Sequence, residues 1–106
     1  MPMEIRVHPE AGREFRALDQ RERKAMENAM TKLRKYGGDL AFPHSSRIRG
    51  PGRLRELRPR AGRSRWRALY RIEAGVAHIG AIVPEAGVDR RGFRTGVARA
   101  TQRLED

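Results

Sequence analysis

The run Arg65-Trp66-Arg67-Ala68-Leu69-Tyr70-Arg71-Ile72 constrains the fold more than any other part of the chain. In an extended strand successive side chains point to opposite faces, so Trp66, Ala68, Tyr70 and Ile72 share one face. Arg65, Arg67 and Arg71 share the other, with Leu69 between them, and a two-residue step of about 7 Å sets three guanidiniums in a row. Glu73-Ala74-Gly75 then turns the chain into Val76 to Val83, a second strand and the expected hairpin partner. Upstream, Leu54 to Arg58 reads as a strand stopped by Pro59, and Met3, Ile5 and Val7 alternate with Glu4 and Arg6 as a short first strand ended by Pro9.

Helical spacing fills most of the remainder. Ala11, Phe15 and Leu18 fall at i, i+4 and i+7 behind Pro9, which suits a first helical turn. Asp19 and Glu22 have the spacing of a capping box; Met26, Ala29, Met30, Leu33 and Tyr36 form one stripe behind them, and Gly37-Gly38 stops the helix. These two helices are expected to form an antiparallel hairpin, with Met26 and Met30 as core fillers. Asp39 to Gly52, rich in Pro, Ser and Gly, reads as a loop. Asp89 can cap a last helix with Phe93, Val97, Ala100 and Leu104 on one side. The expected order is β-α-α-β-β-β-α in a single domain over residues 1–106.

The chain carries 24 Lys+Arg against 13 Asp+Glu, a formal net charge of +11, with 38% hydrophobic residues and no Cys. High charge with low hydrophobicity borders on the composition of disordered chains; the periodicity argues against disorder. Arginine dominates the cations, and its planar fork grips phosphate bidentately, so a polyanion is the natural partner class, a solvated basic surface the alternative. The longest apolar stretch, around Ile79 to Val83, falls far short of the roughly 20 residues a bilayer span needs. The first residues, with Glu4, Arg6 and His8, form no apolar secretory region. A cytoplasmic location without membrane contact is therefore expected.

Little conventional catalytic chemistry is available. His8, His44 and His78 are scattered and no Cys or tight Asp/Glu cluster supplies metal ligands, so no metal and no small-molecule cofactor is expected. Ser45, Ser46 and Ser64 have no nucleophile-elbow context, and no phosphate-cradling Gly-rich loop is present. What remains is the arginine row. It could hold a nucleic-acid backbone, or it could neutralise the charge that develops when a ribose 2′-hydroxyl attacks its own 3′-phosphate. Metal-free RNA cleavage needs only such cations with a proton acceptor and a proton donor.

The run Gly52-Arg53-Leu54-Arg55-Glu56-Leu57-Arg58, then Gly62, then Trp66-Arg67-Ala68-Leu69-Tyr70, resembles the central signature of the HigB-like branch of RelE/ParE toxins. Pro43-His44 with Arg47-Ile48-Arg49-Gly50, Tyr36-Gly37, and Ala98, Ala100 and Arg103 extend the likeness across nearly the whole chain. The resemblance implies a compact α+β domain of RelE type: a helical hairpin on a curved, mainly antiparallel sheet, with a C-terminal helix. It also implies a type II toxin, usually an endonuclease of ribosome-associated mRNA, neutralised by a cognate antitoxin protein. Arg58 and Arg67 match the family's basic motif residues. By that resemblance Arg58 would contact the scissile phosphate or its flanks, Arg67 would stabilise transition-state charge, and Arg67→Ala would abolish activity without unfolding the protein. Arg65 and Arg71, their neighbours on the strand face, are assigned to backbone binding.

The family commonly follows its last strand with an aromatic residue and two lysines, whereas this chain has Val83-Pro84-Glu85-Ala86-Gly87-Val88. Glu85 could serve as general base and Arg90 or Arg91 could replace the lost charge; equally, a member with this loop could bind without cutting. Glu56, among Arg55, Arg58 and Arg67, reads as an ion-pair orienter rather than a base. Trp66 and Tyr70 read as core rather than base-stacking platforms. His78 could face the core, a solvent edge or the site. A gyrase-poisoning relative of ParE type and a pure nucleic-acid binder are the other functions kept open.

Overall fold

A computed structural model describes residues 2–105. Each helix begins where a side chain takes up the first free backbone amides. His8 Nδ1 accepts from the Glu10 amide at 3.1 Å to start α1 (Pro9–Arg16). Asp19 Oδ1 accepts from the Glu22 amide at 2.9 Å to start α2 (Gln20–Tyr36). Asp89 Oδ1 accepts from the Gly92 amide at 2.8 Å ahead of α3 (Arg90–Glu105). Arg23 donates to the carbonyls of Arg16 and Leu18, both at 3.2 Å, and so ties α2 to the end of α1.

The strands are β1 (Glu4–Val7), β2 (Ser45–Arg47), β3 (Arg55–Leu57), β4 (Trp66–Glu73) and β5 (Val76–Pro84). They form one sheet in the order β1-β5-β4-β3-β2; β1 runs parallel to β5 and every other pair is antiparallel. The β4–β5 hairpin turns at Ala74 and Gly75, both at positive φ (50° and 76°), the backbone sense that matches strand twist. This is the α+β arrangement expected from the sequence, with one addition. β2 lies within the segment read as a loop, because Ser45-Ser46-Arg47 has no apolar alternation and is held in register by β3 (Ser45 opposite Leu57). Ser45 is buried, its Oγ 2.6 Å from the Tyr70 hydroxyl and accepting from Arg55 Nε at 3.0 Å.

The sheet is covered on both faces. Against one lie α1 and α2, where Ala11, Met26 and Leu33 meet Leu57, Ala68, Tyr70 and Ile79, with Trp66 partly buried at the margin. Tyr70 is thus a core residue, and Trp66 packs against the core while keeping part of its surface in solvent. On the other face α3 closes a second core of Leu54, Leu69, Ala81, Val83 and Ala100. Its close approach depends on Gly80, the extra residue of a bulge opposite Leu69/Tyr70, where a Cβ would stand 3.1 Å from the Ala100 Cα. Beyond Ile79, where β1 ends, the outer edge of β5 is met by side chains. Glu14 Oε1 accepts from the Ile82 amide at 3.0 Å, Arg103 donates to the Gly80 carbonyl at 2.9 Å, and both Arg103 Nη atoms grip Glu14 (3.1 and 3.0 Å). Among the described residues no helix is long and apolar enough to cross a membrane.

Candidate active site

The end of β4 nearest β3 holds a buried ionic node. Arg67 projects to the α3 side of the sheet, is 2% exposed, and commits all five guanidinium N–H groups. Nε donates to Glu56 Oε1 (2.9 Å), Nη1 to the carbonyls of Ser64 (2.7 Å) and Trp66 (2.9 Å), and Nη2 to the Gly62 carbonyl (3.2 Å) and Glu85 Oε2 (2.8 Å). Each acceptor is placed by its own element. Glu56 sits mid-β3 opposite Leu69, while Glu85 follows β5 and is fixed by its amide donating to the Arg65 carbonyl at 2.8 Å. Ser64 accepts from the Trp66 amide (3.1 Å) and donates to Glu22 on α2 (2.8 Å).

Arg58 is the second cation of the node. Its Nη1 lies 3.8 Å from Glu56 Oε1, an ion-pair distance rather than a hydrogen bond, and its Nε donates to the Pro43 carbonyl at 3.0 Å. Its guanidinium packs over the Phe42 ring at 4.9 Å from the centroid. Gly62, at φ 93°, leaves the space that this guanidinium fills. The loop between them is strained, since Arg60 and Ala61 both adopt φ 54°, a conformation that costs a side-chain-bearing residue about 1–2 kcal/mol. Two cations and two carboxylates thus balance in charge. Arg58 and Glu85 reach solvent, at 20% and 31% side-chain exposure, whereas Arg67 does not.

Arg58, Arg67 and Glu85 are therefore brought together, with Glu56 as the ion-pair orienter its sequence context suggested. Two expectations need correction. Arg65, Arg67 and Arg71 do not form an open row: only Arg65 is exposed, because Glu56, Glu85 and the carbonyls of residues 62–66 enclose Arg67, and Gly52 and α3 enclose Arg71. Arg71 is buried, donates to the carbonyls of Gly52 (3.3 Å) and Leu104 (3.0 Å), and stands with Nε 2.8 Å from Glu73 Oε1 without hydrogen-bond alignment. It fastens α3 and is withdrawn from any nucleic-acid backbone. Arg67, for its part, has no N–H left for a phosphate, so its removal strikes the fold and Arg67→Ala cannot separate chemistry from folding. Alternation predicts which residues share a face but not what covers it; Leu69, lying between the arginines, was the signal of a second core.

Arg90 and Arg91 lie exposed in the first turn of α3, a turn without an acidic residue. Cations at a helix N-terminus oppose the helix dipole at about 0.3–1 kcal/mol each. Arg90 shares a groove with Arg49, Phe93 and Arg94. His78 is half-buried, in register with Arg71 on one side and Arg6 on the other, remote from the node. Sequence reasoning missed Phe42, whose only signal was an exposed aromatic in a polar loop. Among the described residues no three Asp, Glu or His side chains gather as metal ligands do.

Residues 13–79 match the family model described as phage derived protein Gp49-like (DUF891). No curated protein matches the chain. Among solved structures, a mutant of E. coli toxin RelE in the free state aligns with a TM-score of 0.66 at 16% identity, covering 93% of this chain and 98% of that one. A chain of the toxin–antitoxin complex RelBE2 from Mycobacterium tuberculosis aligns at 0.61 and 22% identity, covering 80% and 100%. The archaeal RelE–RelB complex from Pyrococcus horikoshii follows at 0.58 and 18%, covering 79% and 96%. The architecture is that of the RelE-type toxin fold.

Proposed function

The chain belongs to the phage-derived Gp49-like family, and on that footing we propose that it is a type II toxin of the HigB-like branch, a metal-free endonuclease of ribosome-associated mRNA. The whole chain acts in this reading as one toxin domain, restrained by a cognate antitoxin protein, as the solved relatives named as toxin–antitoxin complexes are paired with theirs. The observation that carries the proposal is Glu85. It is a partly exposed carboxylate with one oxygen anchored by a buried guanidinium, which through Glu56 joins it in one ionic node with the partly exposed Arg58.

Glu85 takes the proton from a ribose 2′-hydroxyl, whose oxygen attacks the adjacent phosphorus. The P–O5′ bond breaks, leaving a 2′,3′-cyclic phosphate; the 5′-oxygen takes a proton from water, and Glu85 returns the proton it took to the solvent. Arg58 faces the charge that builds on the phosphoryl oxygens. Arg67 is a positioning residue that fixes Glu85 and Glu56, and Arg65, Arg90 and Arg91 hold the flanking backbone. The commitment of every Arg67 donor favours a second reading, in which the chain binds nucleic acid and cuts it weakly or not at all; a gyrase poison of ParE type is a further alternative.

Induction of the protein alone in a bacterial host, with growth followed beside 5′-end mapping of mRNA, tests the proposal. Wild type should arrest growth and leave discrete cuts, and folded Glu85→Gln and Arg58→Gln variants should lose both. Cuts retained by folded Glu85→Gln would refute its role as base. Arrest with intact mRNA and induced DNA-damage signalling would replace the nuclease by the gyrase reading.

A further inference from the structure

A second cationic feature lies on the helical side of the sheet, away from α3. Arg21, Lys24, Asn28 and Lys32 follow one another at i, i+3, i+7 and i+11 along α2, a stripe of about 16 Å. They form one wall of a cavity of ≈ 230 Å³, and His44, Arg58 and Arg60 form the other. Ala25, Ala29 and Leu57 supply an apolar floor, and no carboxylate lines it. Among the described residues, Arg21, Lys24, Lys32 and Arg60 have no carboxylate within ion-pair distance, while Glu56 and Glu85 serve Arg67, Glu14 serves Arg103 and Glu73 serves Arg71. Like charges lining a cleft with a low-dielectric floor repel one another and focus a positive potential into it.

The cavity continues past Lys32 and His44 into a shallower depression bordered by Tyr36 and Phe42, with Asp39 as its one carboxylate. Phe42 is 70% exposed and Tyr36 49%, two of the chain's few large apolar side chains left in solvent. A cationic track ending on exposed aromatic faces is the combination by which single strands are held: cations follow the backbone and rings stack on bases, with little regard to sequence. We propose that this groove binds the phosphodiester backbone of a single nucleic-acid strand, with Phe42 as the base-stacking platform. The inference goes beyond the cleavage reading and does not depend on it, since the groove lines the α2 face while Arg67 and Glu85 lie on the α3 side, with Arg58 bordering both.

Fluorescence anisotropy of a short fluorescein-labelled oligouridine, titrated across a salt series, tests this. The triple variant Arg21→Gln/Lys24→Gln/Lys32→Gln removes three phosphate contacts, so its slope of log K against log salt should fall by about 2, at about 0.7 per contact. A charge-matched control, Arg6→Gln/Arg13→Gln/Arg53→Gln, removes exposed cations that already have carboxylate partners and should keep the wild-type slope. Phe42→Ala should weaken binding at least about 5-fold with the slope unchanged. All these residues are exposed, and matching thermal midpoints establish that the variants are folded. Wild-type affinity and slope in the triple variant would overturn the inference, as would wild type that does not bind the probe, or a duplex that competes as well as the single strand. Wild type that binds through the groove and cuts no mRNA removes only the nuclease reading; wild type that cuts mRNA while the groove variant binds normally removes only this one.

Discussion

Replacing Arg67 by Met keeps most of the aliphatic stem but strands what the guanidinium held. Glu56 and Glu85 would face each other's charge without their shared cation, and the carbonyls of Gly62, Ser64 and Trp66 would each lose a donor. Breaking a buried ion pair by removing one partner costs about 3–5 kcal/mol, a large share of the roughly 5–15 kcal/mol that holds a domain of this kind folded. With a urea slope of about 1.5 kcal/mol/M, the midpoint should drop by about 2–3 M. Adding Glu56→Gln and Glu85→Gln to Arg67→Met neutralises the stranded charges and should recover about half the loss. Equilibrium urea unfolding by circular dichroism measures all three proteins. A single variant within about 0.5 kcal/mol of wild type, or a triple variant no more stable than the single one, would refute the claim that Arg67 organises the node.

Other expected outcomes follow from the same geometry. Asp19→Ala removes the α2 cap and should cost about 1 kcal/mol, read as a fall of several degrees in the thermal midpoint. Leu69→Ala opens the core beneath α3 and should cost about 2–5 kcal/mol by urea unfolding; a loss below about 1 kcal/mol would mean that α3 does not close that face. Ala61→Gly releases the left-handed strain beside the site and should stabilise by up to about 1 kcal/mol, the gain limited by the added freedom of the unfolded chain. Gly80→Val should loosen α3, seen as faster amide exchange in Val97–Leu104 than in α2.

Much of the fold was legible because its signals are local. Asp19 and Asp89 mark helix starts through their own side chains, Pro9 and Gly37 act where they stand, and the alternation from Arg65 to Ile72 assigned each residue to the correct face. β2 escaped because three polar residues acquire strand geometry only from their partner. The fate of Arg67 and Arg71 escaped for a related reason: an arginine that donates to carbonyls and carboxylates brought to it by the fold cannot be told, by sequence alone, from one waiting for a phosphate. Arg58 and Arg67 were singled out through resemblance and Glu85 as a departure from it; the three share one ionic node, in which Arg58 and Glu85 are partly exposed and Arg67 is buried, a difference no sequence signal carried. The groove along α2 was not read from the sequence: its opposite wall comes from residues more than ten positions away in the chain.

Glu14 stands where a further strand would otherwise lie. Beyond Ile79 the outer edge of β5 has no paired strand among the described residues, and a bare edge invites another chain to pair with it. A carboxylate from α1, clamped by an arginine from α3, accepts the hydrogen bond from Ile82 that such an intruder would seek. Glu14→Ala is accordingly expected to sediment faster than wild type as concentration rises, and unchanged sedimentation would count against this role. Two segments far apart in sequence thus meet at one strand edge and satisfy with side chains what a neighbouring strand would satisfy with backbone.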